Sequence, residues 1–294
     1  MDVSYNHAIK SDPRKKTNII NIENIGYNLT EEQTDIISSE FENVIINGVP
    51  GSAKSTTLIL RLERKLRQTE KIYNIILLTK VSNVTEVLVN RLEARIPEIK
   101  LEYSNTSRVV AEYNGHCIEF SNDSAFVDCQ LRHYQNKGNT LEYKENNKIK
   151  KIYKQIYEFG KDFSLKKKIY NHLILEDKLD IVLKNGKKVN KIILDEVQDF
   201  TQVEAISFLS IITHDPNISF EGYGDILQSI FYKLEINETT KKYSNLPIHI
   251  FKKIDDIRSY PLSKCFRCPK SHCSFLKNLN KEANKKYNRK SIES

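Results

Sequence analysis

Apolar residues in this chain fall in short unbroken blocks: Val44-Ile45-Ile46, Ile75 to Leu78, and Ile192-Ile193-Leu194. Blocks this short, rich in β-branched residues and without alternation, predict strands buried on both faces, as in a parallel sheet. Between the blocks the apolar spacing changes to three or four. LILRLERKL from Leu58, VTEVLVNRL at 84 to 92 and TQVEAISFLSII after Phe200 therefore predict amphipathic helices. LTEEQTDIISSEF, 29 to 41, predicts a helix capped by Thr30, with Gln33 at the third position completing a capping box. Strand, loop and helix in alternation predict an α/β, doubly wound parallel sheet flanked by helices.

The pattern loosens between about 97 and 190. RVVAEY and CIEF are short strand candidates on either side of the turn signal Asn114-Gly115, and FVDCQLRHY is helical in period. From 142 onward, Lys-rich segments such as NNKIKKIYKQIYEF predict helices with basic faces, so a mainly helical, basic insertion is expected here. Lysines interleaved with tyrosines can line a nucleic-acid strand or simply solvate a helix face. Residues 1–26 are polar, basic and aperiodic, a lead-in to a main domain at 27–264.

Candidate chemistry begins where the block 192–194 meets Asp195 and Glu196. Acids at the carboxyl end of a parallel strand sit where open α/β sheets bind ligands, and such a pair can offer one carboxylate to Mg²⁺ and one to a water. The matching phosphate loop is NVIINGVPGSAKSTT at 43 to 57. A strand runs through Gly48, Pro50, Gly51 and Ser52 into Lys54, Ser55, Thr56 and a helix, the P-loop spacing in which backbone N–H groups surround phosphate oxygens. Lys54 would reach the β- and γ-phosphates and the Ser55 hydroxyl would bind Mg²⁺. Ala53 stands where the usual pattern has its last Gly, which weakens nucleotide binding if that position needs unusual dihedrals.

Other residues carry two readings each. The Gln33 amide either completes the helix cap or reads an adenine edge. Beyond NISFEGYGD, Asp225 and Gln228 either cap a turn or bring Gln228 to a γ-phosphate and its attacking water. Arg267 at a strand-to-helix junction either neutralises a transferring phosphoryl group or forms a surface ion pair. Cys265, Cys268, His272 and Cys273 have the spacing of a short zinc knuckle, but Pro269 opens a helix that pulls such ligands apart.

Composition narrows the setting. A formal charge of +8 and a pI of about 9.0 favour an anionic partner such as nucleic acid. No run of about twenty apolar residues is present for a membrane span and no apolar segment follows the basic N-terminus, so the protein is expected to be intracellular, in cytoplasm or nucleus. Five cysteines then read as reduced thiols.

Five motifs in order resemble those of superfamily 1 DNA helicases of the UvrD, Rep and PcrA type: GVPGSAKST at 48 to 56, LLTKVSNVTEVLVNRL at 77 to 92, LDEVQD at 194 to 199, GYGDILQSIF at 222 to 231 and LSKCFRCP at 262 to 269. LTEEQ at 29 to 33 is similar to the family's adenine-reading motif, and SNDSAF at 121 to 126 is a loose match to a further one. The resemblance implies a RecA-like P-loop ATPase domain using ATP and Mg²⁺. By it, Gln33 reads adenine and Phe266 stacks on it; Lys54 and Ser55 hold phosphate and metal; Asp195 binds the metal and Glu196 is the general base; Gln228 senses the γ-phosphate and Arg267 neutralises it; Thr79, Asn83 and Phe231 face single-stranded DNA, with RNA not distinguished. Only 27 residues follow Arg267, so residues 265–294 are expected to begin a second domain that a partner chain completes. The alternative is a non-motor, nucleotide-gated nucleic-acid-binding or regulatory protein derived from a helicase.

Overall fold

A computed structural model describes residues 28–105, 108–123, 181–200, 202–225 and 247–266, with isolated positions at 125, 126, 129, 130, 274 and 278. In chain order the elements are α1 (Glu31–Ser38), β1 (Val44–Gly48), α2 (Lys54–Gln68), β2 (Asn74–Thr79), α3 (Ser82–Arg95), β3 (Lys100–Asn105), β4 (Arg108–Tyr113), β5 (His116–Asn122), β6 (Lys191–Asp195), a 3₁₀ turn (Val197–Asp199), α4 (Gln202–His214), β7 (Ser219–Gly224), α5 (Pro247–Phe251) and β8 (Arg258–Leu262). The eight strands form one sheet in the order β3-β4-β5-β2-β6-β7-β1-β8. From β5 to β8 every neighbouring pair is parallel. The fold is α/β, of the P-loop, RecA-like kind, with one strand between the P-loop strand β1 and the acidic strand β6.

The unbroken apolar blocks are buried on both sides. Ile192 and Leu194 pack on one face with Phe208, Ile211 and Ile212 of α4, while Ile193 packs on the other with Leu58 and Leu62 of α2 and Leu88 of α3. Successive strand side chains point to opposite faces, so a strand sandwiched between two helical layers must be apolar at every position. Strands β3, β4 and β5, which fall within the looser stretch of sequence, extend this sheet through antiparallel pairs. The β4–β5 hairpin turns on Asn114 and Gly115, with φ of 46° and 85°, as a two-residue turn that matches strand twist requires. Residues 131–180, where the sequence predicts most of the basic, Lys-rich helices, lie outside the described residues.

One buried feature was not foreseen. Between α2 and the sheet, Glu221 of β7 meets Arg61 Nε at 3.2 Å and Lys191 Nζ at 2.9 Å, and accepts a bond from the Tyr223 hydroxyl at 3.0 Å. Arg61 also donates to the carbonyls of Ile36, Ser39 and Phe41, which ends α1 at Ser38, short of the 41 expected from its pattern. One guanidinium thus ties α1 to the helix that follows the phosphate loop.

Candidate nucleotide and metal site

Three strand ends meet at the carboxyl edge of the sheet. Asn47 of β1 pairs in register with Gly224 of β7, and Tyr223 pairs with Asp195 of β6. The phosphate loop, the acids and the Gly-Asp segment after β7 therefore start at one level.

The loop is shaped by close packing. A Cβ on Gly48 would lie 2.4 Å from Ser52 Oγ and 2.8 Å from Lys54 Cγ, so only glycine fits. Ser52 N–H donates to the Val49 carbonyl at 3.1 Å, with Pro50 and Gly51 at the turn between them. Lys54 is buried, and its ammonium donates to the Gly48 carbonyl at 3.3 Å. The Ser52 hydroxyl is buried with no hydrogen-bond partner among the described residues. Among the described residues, a buried cation bonded to one carbonyl and a buried hydroxyl without a partner both suit an anion. The first turn of α2, with Ser55 and Thr56, carries no acid to compete for the positive helix end. Ala53 adopts the left-handed conformation, φ 62° and ψ 35°, and contributes no side-chain cap. The unusual dihedrals that the sequence made conditional are present.

Ser55 Oγ donates to Asp195 Oδ2 at 3.4 Å across 140 residues of sequence. Burial and the adjacent Glu196 carboxylate push the Asp195 carboxyl up to about 7, against the pull of the Glu196 N–H, Lys54 and Ser55. A hydroxyl beside a buried carboxylate is a hard-oxygen pair that fits Mg²⁺, which takes few protein ligands and completes its shell with phosphate oxygens and water. Among the described residues no group of three or more His, Cys, Asp or Glu could hold a metal ion.

Glu196 follows in the left-handed region, φ 53° and ψ 53°. Its N–H donates to Asp195 Oδ1 at 3.1 Å and its carboxylate accepts from Gln198 Nε2 at 2.8 Å. Asp199 is half-buried; burial and Glu196 push its carboxyl up to about 6 while Lys80 draws it down. Lys80, just past β2, donates to Glu204 at 2.6 Å and Asp123 at 3.3 Å and lies 4.6 Å from the Phe200 ring centroid. Gln198 and Lys80 had no assigned role from sequence. Gln198 stood inside LDEVQD, where its spacing to Glu196 was the one available signal.

Other expected site residues gather beside the loop. Thr30 and Gln33 form the capping box, and Gln33 Nε2 also donates to Thr57 Oγ1 at 3.4 Å. Phe266 N–H donates to the Gly51 carbonyl at 2.9 Å, the residue is 44% exposed, and Lys264 Nζ lies 5.3 Å from the ring centroid. Glu32 of α1 accepts from the N–H and hydroxyl of Ser263 at 2.8 and 2.6 Å, closing the gap between α1 and the segment after β8. At the end of β2, Thr79 is buried and its hydroxyl is shared with the Val81 carbonyl and Thr85, whereas Asn83 is exposed. Gln228, Phe231, Arg267, Cys268, His272 and Cys273 lie outside the described residues.

No protein-family model matches this sequence, and no curated protein does. Solved structures do match. The large terminase ATPase domain of a Thermus phage is 11% identical over 88% of this chain and 88% of that one, with a TM-score of 0.43. The large terminase of a thermophilic bacteriophage in complex with ADP is 8% identical over 67% of this chain, with a TM-score of 0.37, and this chain spans only 39% of its length. Likeness at this level concerns overall fold and assigns no residue a role. No helix among the described residues is long and apolar enough to cross a membrane.

Proposed function

We propose that this chain is a Mg²⁺-dependent ATP hydrolase of the superfamily 1, UvrD-like helicase kind, acting with single-stranded DNA. The observation that carries the reading is the meeting of Ser55 and Asp195 at 3.4 Å, next in the chain to the buried Lys54 and to Glu196. In this reading Lys54 and the loop amides through Ser55 hold the terminal phosphates, and Ser55 and Asp195 hold Mg²⁺. The metal, when bound, offsets phosphate charge. Glu196 takes the proton of a water that attacks the γ-phosphorus in line, as ADP leaves.

By resemblance, Gln33 and Phe266 serve the adenine, Gln228 and Arg267 the γ-phosphate, and Asn83 and Phe231 the DNA strand. Thr79 joins them only by giving up its bonds to Val81 and Thr85. A second RecA-like domain would complete a motor able to move. One observation favours the second reading, a nucleotide-gated binding module: Ala53 holds φ 62° where glycine would be unstrained.

Steady-state ATP hydrolysis, with and without single-stranded DNA, separates the two. The first reading expects turnover that DNA increases and that both Lys54→Ala and Glu196→Gln abolish, the latter with ATP still bound. Nucleotide binding with no turnover in the wild type would leave the binding module. Turnover unaffected by Lys54→Ala would overturn both.

A further inference from the structure

Gln198 lies in the 3₁₀ turn directly after the acids and is buried. Its amide is held from two sides. The Asp225 N–H donates to Oε1 at 2.9 Å, and Nε2 donates to Glu196 Oε2 at 2.8 Å. A backbone N–H can only donate, so Oε1 must face Asp225 and the amide nitrogen must face Glu196. The orientation of the amide is fixed by chemistry. The strand end is cut to fit it as well: a Cβ on Gly224 would stand 2.7 Å from Gln198 Oε1. Glu196 is thus gripped at its carboxylate by Gln198 while its own backbone sits at φ 53° with its N–H on Asp195.

We infer that Gln198 is a positioning residue: its amide is a strut that aims the Glu196 carboxylate at the attacking water and ties that aim to the end of β7 at Gly224-Asp225. This rests on the reading of Glu196 as the base. The consequence is mechanical. Any shift of Asp225 at the end of β7 moves Oε1, and through a planar amide it moves the group that holds Glu196. Glu196 carries the proton transfer; Gln198 touches neither substrate nor metal in this scheme.

The test separates strut from scaffold. Gln198→Glu keeps an oxygen for the Asp225 N–H and nearly the same shape, but replaces the donor toward Glu196 with a like charge. It is expected to lower kcat on the order of 100-fold, as misplacement of a reacting group by about 1 Å does, with ATP affinity near wild type, while a carboxylate buried against Glu196 lowers the melting temperature. Gly224→Ala should lower kcat as well, by displacing the amide. In a Gln198→Ala background Gly224→Ala should add little, because the 2.7 Å contact is gone and the remaining ones, with Val197 at 3.3 Å, yield to a shift of tenths of an ångström. If Gln198→Glu turns over within about twofold of wild type while Glu196→Gln is inactive, the strut is wrong and the base stands. If the wild type does not hydrolyse ATP with or without DNA, the base and the strut fall together. If Gln198→Ala, which removes both bonds and adds no charge, keeps kcat within about twofold of wild type, the inference is likewise overturned.

Discussion

Replacing Glu221 by glutamine tests the buried charge network that joins the phosphate-loop helix to the sheet. Glu221 is 2% exposed and faces two cations that are fully buried, Arg61 and Lys191. Burial disfavours its charge, yet Arg61, Lys191 and Lys65 outweigh burial and hold the carboxyl down at about 2. Removing one partner of a buried ion pair costs about 3–5 kcal/mol, because a charge is left in low dielectric without compensation. The lower end applies here. Arg61 keeps its three carbonyl partners, Lys191 keeps the Glu42 carboxylate at 3.4 Å, and glutamine can still accept one bond. A loss of about 3 kcal/mol is a large share of the roughly 5–15 kcal/mol that holds a typical domain, and raises the unfolded fraction more than a hundredfold.

Urea unfolding of wild type and Glu221→Gln at pH 7 measures this directly. The pH dependence gives a second check with a fixed sign. An acid whose folded pKa lies at about 2, against 4.5 for the free group, stabilises fully above 4.5 and loses that contribution as pH falls toward 2. The gap between the two proteins should therefore be constant near neutrality and close between pH 4.5 and 2. A difference below about 1 kcal/mol at pH 7 would mean that water reaches Arg61 and Lys191, and that the network is not the buried cluster described.

Two further outcomes follow from the nucleotide site. Ala53→Gly removes a left-handed strain of roughly 1–2 kcal/mol and adds about 0.5–1 kcal/mol of unfolded-chain entropy, so thermal stability should rise by up to about 1.5 kcal/mol, and a lower melting temperature would refute the assignment. Asp195, pushed up to about 7 by burial and Glu196, must lose its proton to take Mg²⁺, so Mg²⁺ affinity should be about tenfold weaker at pH 6 than at pH 8, and in metal-free buffer this group's contribution to stability should fall as pH rises from 3.8 through 7. An Mg²⁺ affinity flat across that range, or unchanged in Asp195→Asn, would remove Asp195 from the metal site.

What could be read from sequence divides along a physical line. Buried parallel strands must be apolar at every position, so Val44 to Ile46, Ile75 to Leu78 and Ile192 to Leu194 announce themselves, and the first polar residue after each marks the carboxyl edge. The phosphate loop is legible for the same local reason: Gly48, Lys54 and Ser55 have their spacing dictated by one turn of chain wrapped around an anion. Contacts made across the sheet leave no such mark. Glu221 reads in sequence as a polar interruption of β7, and only the fold brings Arg61 and Lys191 to it from 160 and 30 positions away. Gln198 is the intermediate case. Its two-residue spacing to Glu196 is local, but what makes it a strut rather than a surface amide is the Asp225 N–H, 27 residues on, and a glycine kept small at 224 to admit it. The acids could be found from the strand that carries them; the group that aims one of them depends on a neighbouring strand, and so becomes visible only once β6 and β7 are paired.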